Sequence, residues 1–156
     1  MRRRLLIAAV VASAVLPVSA ASGATQEIRV VSVTLSTVSH DIAPKGASKG
    51  DTIVYRDRLV NAKAQFGKKK GVEVGSDSGT MTFTGPHSAS FEGKAVLPGG
   101  TLTLSGAVYT TPQGLVVPVT GGTGAYKNVH GTLLVGNGTK RVPNTYRLTR
   151  PSGPIA

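Results

Sequence analysis

Val117-Pro118-Val119-Thr120-Gly121-Gly122-Thr123-Gly124-Ala125-Tyr126-Lys127-Asn128-Val129-His130-Gly131-Thr132-Leu133 is the stretch that decides the fold. It opens as an apolar strand, is cut by three glycines within four residues, and restarts as an alternating strand. Glycine serves where φ is positive or where another backbone comes close. Tyr126 follows at once, placed so that one ring can plug the end of a barrel. A dinucleotide fingerprint would need glycine at position 127, which is Lys127, and a helix after it, which the pattern lacks. A phosphate loop would need Gly-Lys-Ser/Thr closing the glycine run. The stretch therefore reads as a turn or pinch point between two strands of a closed sheet.

Working outward, the chain reads as strands separated by turn signals. Ile28 to Val38 is rich in Val, Ile, Leu and Thr, with Val31, Val33 and Leu35 alternating. A loop with Pro44, Gly46 and Gly50 leads to a second strand, Thr52 to Ala62. Gly71 to Gly85 alternates again, Met81 and Phe83 on one face, with an interruption expected at Gly75 to Gly79. Ser90 to Leu97 and Thr101 to Tyr109 flank a Pro98-Gly99-Gly100 turn, and Leu102, Leu104, Gly106 and Val108 share a face. Leu115 to Thr120 and Asn128 to Val135 flank the pinch. Gly136-Asn137-Gly138 supplies positive-φ residues for a hairpin before the last strand, Val142 to Arg150. No segment beyond the N-terminus has a helical period. Eight short strands at even spacing indicate an antiparallel sandwich or barrel, and the pinch favours a single eight-stranded antiparallel β-barrel. Closure removes exposed edges, and a barrel of this size has room for one small ligand.

The 156 residues allow one domain, expected at 25–150, after a leader at 1–24 and before a tail at 151–156. Arg2-Arg3-Arg4, the apolar run Leu5 to Leu16 and Val18-Ser19-Ala20 have the form of a signal peptide, which predicts a secreted protein. The apolar run falls short of the roughly 20 residues of a membrane anchor, so no stable membrane insertion is expected. The absence of cysteine excludes disulfides, thiol catalysis and thiolate metal sites. Loss of Arg2, Arg3 and Arg4 would take the formal net charge from +11 to +8. Aromatics are few and Lys68-Lys69-Lys70, between Gly67 and Gly71, is the one basic cluster. It reads as a solvated hairpin tip, and no nucleic-acid partner is expected.

His40, His87 and His130 lie far apart and show no metal-ligand spacing, so no metal is expected. No Gly-x-Ser-x-Gly elbow is present for a hydrolase. The second strand is more informative. Ile53, Tyr55, Asp57, Leu59 and Asn61 share one face by the period of two, while Arg56 and Arg58 share the other. If the first face lines the barrel, Asp57 sits among apolar groups with a raised pKa, suited to acid, base or cation-stabilising work. The alternative is an outward Asp57 paired with a surface lysine.

Gly-Gly-Thr-Gly-Ala-Tyr followed by four residues and Gly131 resembles the glycine motif of the allene oxide cyclase and dirigent barrels. Gly50-Asp51-Thr52-Ile53-Val54-Tyr55-Arg56-Asp57-Arg58-Leu59 is similar to the second-strand signature of the cyclases. The resemblance implies a polar cavity residue at Asp57, a cavity tyrosine for which Tyr109 is the nearest match, and a loop proline at Pro44. Tyr55 and Asn61, on the face of Asp57 by strand alternation, and His130 are further ligand-binding candidates. The departures are specific. The first strand holds Val33, Leu35 and Thr37 where plant cyclases carry a Glu, and Ala125 and His130 stand where many dirigent proteins carry an Asp and an Arg. Allene oxide cyclisation and lignan coupling therefore do not carry over; an apolar cavity of this barrel type does.

Two functions are expected from this reading. In one, a cofactor-free cyclase or isomerase-like enzyme binds a small apolar molecule, with Asp57 and Tyr109 catalytic and Tyr55, Asn61, His130 and Pro44 binding substrate. In the other, the barrel binds a ligand or plays a structural part without catalysis. Assembly into a homo-oligomer, a dimer or trimer through the outer face, is a further expectation.

Overall fold

The structure is a computed structural model that describes residues 23–151. Residues 1–22 of the expected leader and 152–156 of the tail lie outside the described residues. Eight strands follow in chain order: β1 (Thr25–His40), β2 (Thr52–Asn61), β3 (Glu73–Gly85), β4 (Ser88–Leu97), β5 (Gly100–Thr111), β6 (Gly114–Gly122), β7 (His130–Val135) and β8 (Arg141–Thr149). Each pairs antiparallel with the next, and β8 pairs with β1, so the sheet closes into a barrel with no free edge. The only helical element among the described residues is a single 3₁₀ turn, Gly124–Tyr126.

One end of the barrel is packed solid. Ile28, Val30, Leu59, Leu102, Leu104, Val119, Leu133 and Leu148 fill it from six strands. Tyr126 closes that end, 2% exposed, and its hydroxyl donates to the Pro98 carbonyl at 3.0 Å. The glycine stretch makes this possible. Gly124 has φ +58, and a Cβ there would collide with the Gly99 carbonyl. The β4–β5 turn is clamped against the motif by Ala125 N–H to Gly99 O and Thr123 N–H to Thr101 O, both 2.8 Å. The pinch between two backbones expected from the glycines is this clamp.

Two sequence-level details differ. The inward residues of β1 are Ile28, Val30, Ser32 and Thr34, not the set containing Val31, Val33 and Leu35. A register shift between Thr34 and Ser36 then leaves Leu35 outside the ladder and 65% exposed, and lets Thr37 face inward as well. This is what a β-bulge does: one extra residue re-aims those that follow. β3 is continuous from Glu73 through Gly85, and the interruption allowed for at Gly75 to Gly79 amounts to a register shift against β2 beside Gly75. Lys68-Lys69-Lys70 is exposed on the β2–β3 hairpin, as expected for a solvated tip.

Candidate functional site

The other end of the barrel is not filled. A cavity of about 230 Å³ lies inside it, lined from all eight strands. Most of the lining is apolar: Ile53, Met81, Phe91, Val108, Leu115, Val117, Leu133, Val135 and Val142. Phe91 and Tyr55 stack across one wall with ring centroids 5.9 Å apart. The inward positions between them are Gly79 and Gly93, paired on β3 and β4. A Cβ on Gly79 would run into the Phe91 ring, and one on Gly93 would sit 2.7 Å from its Cε1. Glycine at both positions is the space in which the ring lies.

The polar side chains gather on one part of the wall. Thr34, Asp57 and Asp77 are successive cross-strand partners on β1, β2 and β3. Residues directly opposite in a ladder have Cβ atoms about 5 Å apart, so the two carboxyl groups are neighbours. Both are buried, at 8% and 4% exposure. Asn144 donates through Nδ2 to Ser32 Oγ at 2.7 Å, and Ser32 donates in turn to Asp77 Oδ2 at a long 3.4 Å. One oxygen on each of Asp57, Asp77 and Asn144 has no hydrogen-bond partner among the described residues, nor does the hydroxyl of Tyr146.

Burial out of water disfavours the charged carboxylate, and a neighbouring carboxylate disfavours it again. Burial and then the charge of Asp57 push Asp77 up to about 7. Burial raises Asp57 as well, against a smaller opposite pull from the Thr34 hydroxyl. Such a pair titrates as a unit. Burial, followed by the two carboxylates, raises Tyr55, and the same causes raise Tyr146, so both phenols hold their protons. Among the described residues, no lysine, arginine or histidine lines the cavity. Among the described residues, no group of three or more His, Cys, Asp or Glu could hold a metal ion.

Of the sequence candidates, Asp57 and Tyr55 line this cavity together. The others do not. Tyr109 lies on the outer wall, 61% exposed, because β5 turns Leu102, Leu104 and Val108 inward. Asn61 faces inward but at the packed end, where Nδ2 donates to the carbonyls of Gln65 and Lys68 at 3.0 and 3.2 Å and so holds the hairpin. His130 is exposed at the start of β7, paired with Thr149 at the packed end. Pro44 is exposed on the loop joining β1 to β2, at the cavity end but not in its lining. That loop is fixed by Asp51, whose carboxylate accepts from Ile42 N–H and Ser48 N–H, each at 2.7 Å. Those two N–H groups hold the Asp51 carboxyl below its ordinary value. Sequence reasoning missed Asp77, Ser32 and Asn144. For Asp77 a signal existed, since it shares parity with Met81 on β3.

No protein-family model matches the chain, and no curated protein sequence matches it. Solved structures do. A pyocyanin demethylase is 27% identical, with a TM-score of 0.64 over 81% of this chain and 100% of that one. A pterocarpan synthase dirigent protein is 14% identical, with a TM-score of 0.59 over 86% of this chain and 90% of that one. A nonspecific heme-binding cyclase that catalyses a [4+2] cycloaddition in neoabyssomicin biosynthesis is 19% identical, with a TM-score of 0.63 over 84% and 69%. At their identities the last two speak for the fold alone. In fold, this chain is an eight-stranded antiparallel β-barrel similar to those of the dirigent protein and the cyclase, the architecture that its glycine stretch resembles.

Proposed function

We propose that the barrel takes one small, largely apolar molecule into its cavity and guides a rearrangement or ring closure there, outside the cell after loss of the leader. The observation that carries this reading is a pair of facing carboxylates set into the wall of an otherwise apolar cavity. The lining holds the substrate in one folded conformation, which removes much of the entropic barrier to ring closure. Asp57 takes a proton from one atom of the substrate. The facing pair passes that proton across, and Asp77 returns it to another atom of the substrate. The proton count is unchanged, so the product is an isomer of the substrate. The Tyr55 phenol, neutral throughout, steadies developing negative charge on a substrate oxygen. The likeness to a demethylase and to a cyclase supports chemistry on small molecules in a barrel of this shape.

The test has two readouts. First, fluorescence of the neutral probe N-phenyl-1-naphthylamine should rise on binding, and Val108→Trp, which fills the cavity, should abolish the rise. Second, the purified protein is incubated with a small-molecule extract of the source culture, and products are separated by chromatography and mass spectrometry. The proposal expects a compound of unchanged mass and altered retention, lost in Asp57→Asn and Asp77→Asn while probe binding persists. Probe binding without any conversion would leave a ligand-binding barrel and overturn the catalytic part. No probe binding would overturn both.

A further inference from the structure

On the cavity's polar wall three buried oxygens are left without donors, and this says what the ligand must bring. Asp57 Oδ1 and Asp77 Oδ1 are without partners. Asn144 adds a third free acceptor, and its orientation follows from the network. With Asp77 ionised, the one hydroxyl hydrogen of Ser32 goes to Asp77, so Ser32 accepts from the Asn144 amide. That turns the Asn144 carbonyl oxygen away from Ser32, and it has no partner either. All three residues are more than nine-tenths buried and line the cavity. A buried carboxylate is tolerated when it is paired or hydrogen-bonded. No lysine, arginine or histidine in the lining does this.

We infer that the ligand is a small organic cation, an aromatic or alicyclic body with one N–H-bearing cationic head that seats between Asp57, Asp77 and Asn144. The inference rests on the ligand-binding reading above and names the class of ligand. An ammonium or protonated ring nitrogen supplies the donors that the three oxygens lack and the charge that the carboxylates need. The stacked faces of Tyr55 and Phe91 line the same cavity and offer a surface for the body and for the cation. A metal ion fits less well, because no third acidic or imidazole ligand joins the pair among the described residues. The basic exterior opposes a cation only through solvent, where charges are screened over about 8 Å. Inside the cavity the carboxylates act without that screening.

The experiment compares three probes with one body: 1-naphthylmethylammonium, 1-naphthylmethanol and 1-naphthoate. The chain has no tryptophan, so naphthalene fluorescence reports binding without interference. At pH 7.5 the cation is expected to bind at least tenfold more tightly than the alcohol, and the anion not at all. Asp57→Asn and Asp77→Asn should each cut the preference to threefold or less. Binding of the cation at pH 6.5 should also release a proton, seen as a buffer-dependent calorimetric heat. This last measurement needs only the unaltered protein. Equal or tighter binding of the alcohol or the naphthoate would overturn the inference while sparing the cavity itself. Failure of all three to bind would overturn both. A cation preference that survives both substitutions would place the cation elsewhere and overturn it too.

Discussion

Asp57 and Asp77 stand directly opposite each other on β2 and β3, buried on the inner face of the barrel, with no cationic side chain among the described residues in the cavity they line. Stability theory treats such an arrangement as a cost, since each charge raises the price of the other. A consequence is that the barrel's stability must depend on pH in an unusual direction.

The folded protein holds the Asp77 proton to about pH 7, whereas the unfolded chain releases it near the ordinary value of 3.8. Between those values the folded state binds more protons, so stability falls as pH rises. Asp57, also raised, acts in the same sense. Asp51 acts in the opposite sense: its lowered value means that stability is lost as pH falls below the ordinary carboxylate range. Urea denaturation should therefore show greater stability near pH 5 than at pH 8. Asp77→Asn should flatten that slope and stabilise the barrel at pH 8, by at most about 4 kcal/mol. An unchanged slope in the variant would contradict the burial of this carboxyl.

Gly79 should not tolerate a side chain. The added methyl meets the Phe91 ring and sits 2.9 Å from the Glu92 carbonyl oxygen. Overpacking of this kind costs about 1 to 3 kcal/mol. Gly79→Ala should lose that much in denaturation and bind the neutral naphthylamine probe at least tenfold more weakly. Adding Phe91→Leu should restore part of both losses, because it removes the ring that the methyl displaces. The backbone contact remains, so recovery should be incomplete.

At the packed end, Tyr126→Phe removes one hydrogen bond to Pro98 and should cost about 1 kcal/mol. Tyr126→Ala opens the plug and should cost about 3 to 5 kcal/mol. Thermal unfolding of the two variants separates the ring's packing from its hydroxyl.

Asn61 and Tyr109 provide the contrast. Asn61→Ala strips donors from the carbonyls of Gln65 and Lys68 and should cost about 1 to 3 kcal/mol, with probe affinity unchanged. Tyr109→Ala, on the outer wall, should change stability by no more than about 0.5 kcal/mol and leave binding alone. Loss of probe binding in either variant would show that the cavity residues have been misassigned.

These two residues also show how far the sequence could be read. Alternation reports which face a side chain takes, but not its height along the barrel. Asn61 shares the inward face with Tyr55 and Asp57, yet it lies at the packed end. Tyr109 is the reverse case: the same alternation turned Val108 inward and so already pointed Tyr109 out, and only the family resemblance argued otherwise. Asp77 was hidden by its glycines. Gly75 and Gly79 suggested a broken strand, whereas Gly79 is small because the Phe91 ring fills its space. That ring is distant in sequence, so nothing local could announce it. The bulge at Leu35 was invisible for the same reason. The closed barrel, the pinch at Gly124 and the plug at Tyr126 were legible, because turn chemistry and strand period are local properties.

Asp57 and Asp77 share a buried wall of the cavity, and burial together with their mutual repulsion keeps a proton on the pair at neutral pH. Carbon-13 NMR titration of their side-chain carboxyl groups, assigned through the two Asn variants, measures this directly. The account predicts a coupled titration in which one step falls near pH 7, displaced downward when a cationic probe is bound. Two independent titrations in the ordinary range near pH 4, unaffected by the probe, would contradict it.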